Sequence, residues 1–106
     1  MYYLVVWDKN LAATGQDGVV SNFEIPMDLA ELFFHLDSAK FPNLSSLSFD
    51  DYDLFSGSQI ESLAQELLHV AGANPLFLTP INTMMEMVYK AQSLDKSILF
   101  DPFRKE

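Results

Sequence analysis

The chain has 106 residues, 15 acidic side chains against 6 basic ones, and no cysteine. With 49% apolar or aromatic and 20% charged residues it is a single core-forming domain over 1–106, not a disordered acidic tail. The lack of cysteine excludes disulfides, a thiolate nucleophile and thiolate zinc sites, and the longest apolar run, Tyr2–Trp7, falls far short of the ~20 residues of a membrane-spanning helix.

Tyr2–Trp7 is rich in β-branched and aromatic residues and predicts a strand buried on both faces. No basic segment precedes it, and Asp8 and Lys9 end it too early for a secretory leader, so a cytoplasmic location is expected. Asp8–Gly18 reads as a polar connector, and Val19–Ile25 as a second strand paired antiparallel with the first. Pro26 stops that strand, because proline has no N–H for a ladder. Ile25, Leu29, Leu32, Phe33 and Leu36 then follow a helical stripe that runs out near 37–40. Phe34 lies off this stripe.

Leu44–Phe49 is expected to form a short strand with Leu47 and Phe49 on one face. Continuing it would bury Asp51 and Asp53, so the strand should end near Asp50 and the acidic cluster should be a solvent-facing loop. Ser58-Gln59-Ile60-Glu61 fits a capping box, followed by a helix on Ile60, Leu63, Ala64, Leu67, Leu68 and Ala71 that Gly72 would cap. Thr79-Pro80 opens a further helix, with Ile81, Met84, Met85 and Val88 in its core stripe and Met87 out of phase. Ser97–Phe100 reads as a last strand, and 102–106 as a loose tail. The order β-β-α-β-α-α-β gives an α+β fold, a single layer of about four strands packed against three helices, with the strand order open.

The charge is unevenly placed. Residues 10–89 carry eleven carboxylates against one basic residue, Lys40, whereas the two ends are nearly balanced. Such a body repels nucleic acid and anionic membranes and attracts basic partners, although acidity also serves simple solubility. No cofactor or metal is expected. Asp51-x-Asp53 copies the first two ligands of an EF-hand loop, but Phe55, Ser56 and Ser62 stand at the next ligand, the glycine and the glutamate positions. His35 and His69 are the conventional bases near neutral pH, yet neither accompanies a nucleophile elbow, a phosphate loop or a zinc motif, so catalysis is not expected. The remaining candidate is a protein contact formed by Asp50, Asp51, Tyr52, Asp53 and Phe55, in which an aromatic anchor is ringed by acids.

Length, charge and layout together, with the helices SGSQIESLAQELLHV and TPINTMMEMVYKAQSL and the closing strand KSILF, resemble the small acidic immunity proteins encoded beside bacterial polymorphic toxins, including those of contact-dependent growth inhibition. The resemblance implies a single-domain inhibitor that binds the toxin domain of its own system, a basic protein such as a nuclease, and blocks its active site or substrate cleft. Two alternatives stand beside it. One is a non-catalytic subunit or adaptor, and the other a nucleic-acid mimic, whose charge here is sparse beside one phosphate per ~1.7 Å of duplex.

Overall fold

The computed structural model describes residues 1–104. It has the expected α+β architecture: β1 (Tyr2–Trp7), α1 (Lys9–Ala13), β2 (Val19–Ile25), α2 (Met27–Phe34), β3 (Asp53–Phe55), α3 (Ser58–Ala73), α4 (Leu78–Ser93) and β4 (Ser97–Asp101). The strands form one antiparallel sheet in the order β2-β1-β4-β3, so β1 lies inside it, between β2 and β4. Alternation along β1 sends Tyr2, Leu4 and Val6 into a core shared with Leu29 and Phe33 of α2, Leu63 and Leu67 of α3, and Met84 and Val88 of α4. Each such side chain, fully withdrawn from water, contributes about 1.5–3 kcal/mol. Tyr3 and Val5 point to the opposite face of the sheet and are buried as well.

Several local expectations change. Leu44–Phe49 is not a strand. Leu44–Ser46 is a 3-10 turn, and the third strand is the three-residue β3 that follows. The reason is long-range. Glu66 of α3 is buried and accepts the Leu44 N–H at 3.0 Å, the Asn43 N–H at 3.2 Å and the Asn43 Nδ2 at 2.5 Å. A carboxylate seated on these donors winds the chain into a turn, and the buried Leu44 and Leu47 then share a face at a spacing of three.

Helix termini differ too. The first helix beyond β2 ends at Phe34 rather than near 37–40, and Asp8 caps a short helix, α1, inside the expected connector. The Ser58 box does not form. Gly57, at φ 59°, leads into α3, Gln59 Oε1 accepts the Ser56 N–H at 3.1 Å, and Glu61 instead bonds Gln65 and Gln92. Gly72 stays helical while Asn74 closes the helix, and α4 begins one residue before Thr79. Phe34 packs edge-on against Tyr2 and Phe49, and Met87 packs against the core.

Of the 102–106 segment, residues 102–104 are described. The Phe103 N–H donates to Asp101 Oδ1 at 2.8 Å, and the Phe103 ring meets Tyr52; Lys105 and Glu106 lie outside the described residues.

Removing the Glu66 carboxylate leaves buried N–H groups unpaired. Glu66→Ala should therefore cost about 2–4 kcal/mol in chemical denaturation, whereas Glu61→Ala on the exposed face should cost far less. Equal losses would contradict the assigned role of Glu66.

Candidate partner-binding site

Helices α2, α3 and α4 pack on one face of the sheet, and the other carries a concavity of about 430 Å³. Its apolar floor comes from four strands: Val19 of β2, Trp7 of β1, Leu99 of β4 and Leu54 of β3. Leu54 lies directly opposite Leu99 in the β3–β4 ladder, which sets the two side chains together on this face. Tyr52 and Arg104 complete the wall, and Asp17 and Asp101 supply carboxylates.

Two local devices shape it. The β1–β2 register slips between Val6 and Trp7, so that Trp7 pairs with Val19 and Val20 is the extra, exposed residue of a bulge. Trp7 then lies over Gly18 so closely that a Cβ there would stand 2.5 Å from the indole Nε1 and 2.9 Å from the Asp8 carbonyl oxygen. Only glycine allows this approach. At the other end, Asp101 turns the chain after β4 back across the face through its bond to the Phe103 N–H. The Phe103 ring stands edge-on to Tyr52 with centroids 5.0 Å apart, and Arg104 reaches the cleft.

The five residues expected to form a contact are split by this arrangement. Tyr52 is half-exposed and lines the cleft, with Asp50 and Asp51 exposed beside it in the chain. The Asp51 carboxylate accepts the Tyr52 N–H at 2.8 Å. Phe55 is a core residue, 6% exposed and edge-on to Phe100, and offers no surface to a partner. Asp53 is not in a loop: it opens β3 on the same side as Phe55, towards Tyr2. Burial pushes its carboxyl above the usual range, a backbone hydrogen bond from Ser48 opposes this, and the Asp51 charge adds to it. Burial likewise raises the Tyr2 hydroxyl far above the ordinary phenol range, helped by the Asp53 charge. What the sequence did not reveal is the floor. Trp7, Val19, Leu54 and Leu99 come from four separate segments, and nothing in their spacing joins them.

A second, polar hollow of about 270 Å³ lies on the other side of Trp7. Lys96 pairs with Asp8 at 2.8 Å, and Asp8 also caps α1 by accepting the Asn10 N–H at 2.9 Å and the Leu11 N–H at 3.2 Å. The bond from Lys96 is the main reason the Asp8 carboxyl lies below its usual range; burial opposes it, and the two backbone donors reinforce it. These groups satisfy one another, and their role is to pin α1 and the start of β4. His35 and His69 are exposed, and each bonds through Nδ1 to a carbonyl one turn back in its own helix, at 2.8 and 3.1 Å. Among the described residues no group of three or more His, Asp or Glu could hold a metal ion, and no helix is long and apolar enough to cross a membrane.

Two predictions follow from this geometry. Gly18→Ala should push Trp7 out of place, changing its fluorescence and costing about 1–3 kcal/mol; an unchanged spectrum would refute the close approach. Because the folded Asp8 pKa is depressed, its stabilisation is present above the ordinary carboxylate value of about 3.9 and lost as pH falls through the folded value. Thermal melts should show Asp8→Asn less stable than the native chain at pH 7, with the gap closing in acid. Comparison with models of known protein families, with curated proteins and with solved structures finds no match to this chain.

Proposed function

We propose that the chain is an immunity-type inhibitor that acts in the cytoplasm by binding a basic toxin domain through the open face of its sheet and covering the toxin's active site or substrate cleft. The observation that carries this reading is the apolar concavity edged by carboxylates, on a body with net charge −9. An apolar floor supplies slow dissociation once water is expelled from it, and the surrounding acids steer a basic partner at association rates that reach ~10⁸–10⁹ M⁻¹s⁻¹ at low salt. The contact proposed from the sequence is thereby reduced to Asp50, Asp51 and Tyr52 and extended to Trp7, Asp17, Leu54 and Leu99. No cofactor enters this activity, which needs only surface complementarity.

The test is a triple variant, Asp17→Asn, Asp50→Asn and Asp51→Asn, titrated against the toxin domain of the same system at two salt concentrations. Asparagine keeps the oxygens that accept the Val19 and Tyr52 N–H groups, so the local turns survive. Affinity at low salt should fall about tenfold or more, through a slower on-rate, and the salt dependence should flatten. Unchanged affinity with an unchanged salt slope would overturn the proposal, as would failure of the native chain to protect cells that express the toxin.

A second reading, a subunit or adaptor, draws on a different place. Leu76 is 94% exposed in the α3–α4 connection, with Leu68 and Leu78 also exposed nearby in the chain. Under that reading Leu76→Asp abolishes partner binding and the triple variant leaves it intact.

A further inference from the structure

We infer that the cleft is a receptor for an arginine set beside an aromatic residue on a basic protein segment, and that Phe103 and Arg104 of the chain itself hold this place until the partner displaces them. The inference deepens the reading above and rests on it for the partner's role. The recognition chemistry stands on the intramolecular contact.

Phe103 and Arg104 already show what the face accepts. Phe103 lies edge-on to Tyr52, and Arg104 lines a cleft that contains Trp7 and the carboxylate residues Asp17 and Asp101. A guanidinium is suited to such a site. It is weakly hydrated, stacks on indole and phenol rings, and pairs with carboxylates through a rigid fork of donors. With Arg104 in place the cleft still measures about 430 Å³, within the ~300–1,000 Å³ of ordinary ligand sites, so a second side chain has room to enter and compete.

The charge selects among occupants. A second copy of this chain brings nine net negative charges to a face already edged by carboxylates, and nucleic acid brings phosphates; both are repelled. A basic protein segment is attracted. Because Phe103 and Arg104 are covalently attached, they compete at high effective concentration, and the partner binds only the fraction of molecules in which they have left. The contact therefore weakens every basic segment that enters by the same factor, and a partner with further contacts over the sheet overcomes it.

The lone tryptophan, Trp7, makes the test direct, since its fluorescence reports on the cleft. The full chain and its Phe103→Ala/Arg104→Ala variant are titrated with two blocked tetrapeptides, Gly-Phe-Arg-Gly and Gly-Phe-Glu-Gly, with circular dichroism confirming that the variant keeps its fold. The arginine peptide should give a saturable Trp7 change with Kd of order ~1 mM in the native chain. It should bind about fivefold tighter to the variant, corresponding to ~80% self-occupancy, and the glutamate peptide should bind neither. Equal affinity for native chain and variant overturns self-occupancy. Saturable binding of the glutamate peptide, or none of the arginine peptide to the folded variant, overturns the receptor. Should the arginine peptide bind as expected while the chain fails to neutralise a toxin, the immunity reading falls and this inference stands.

Discussion

The structure depends on a strand that must be shielded on both sides. Tyr2–Val6 is buried throughout, and β1 lies between β2 and β4, so neither face of it can be left to water. The helices shield one face with a core in which Tyr2, Leu4 and Val6 meet α2, α3 and α4. On the other face Tyr3 and Val5 are buried as well. Trp7 lies on that face too, close over Gly18, and the chain after β4 turns at Asp101. The cleft opens on this face, so the strand at the centre of the fold also supplies, through Trp7, part of its candidate binding surface.

The acidity of the chain is of two kinds. Glu66, Asp8 and Asp101 are buried, and each is bonded to backbone N–H groups, in the case of Asp8 also to Lys96. They hold a turn, a short helix and the returning segment, and charge-assisted bonds of this kind are among the stronger ones in a fold. Asp17, Asp50 and Asp51 are exposed and shape the field around the molecule. Asp53 stands between the two groups. Its Oδ2 and the Tyr2 hydroxyl are buried with no hydrogen-bond partner among the described residues, which concentrates unfavourable desolvation in the strand beside Tyr52.

Much of the fold was legible from residue spacing. The doubly buried first strand, its antiparallel partner, the two long helices and the closing strand follow from periodicity, because apolar side chains recur at two or near 3.6 residues wherever one face is buried. Leu44–Phe49 misled for a physical reason. Leucines three apart fit a 3-10 turn as well as an irregular strand, and the deciding carboxylate, Glu66, lies 22 residues from Leu44. The candidate site was legible only in part. Asp50, Asp51 and Tyr52 stand out as an acidic break after an apolar segment, and the structure leaves them exposed, but Phe55 carries no mark that separates a core aromatic from a contact aromatic.

The amino-acid sequence by itself determined that this chain is acidic, α+β and without cysteine, since composition, charge and hydrophobic period are local properties that need no partner to be read. Tertiary structure alone decided the strand order, the side of the sheet on which each residue of β3 lies, and the joining of Trp7, Val19, Leu54 and Leu99 into one floor. The reason is that sheet neighbours are chosen by the packing of the whole chain. A residue's place along a strand says which neighbours share its face, and nothing of which strand will lie beside it.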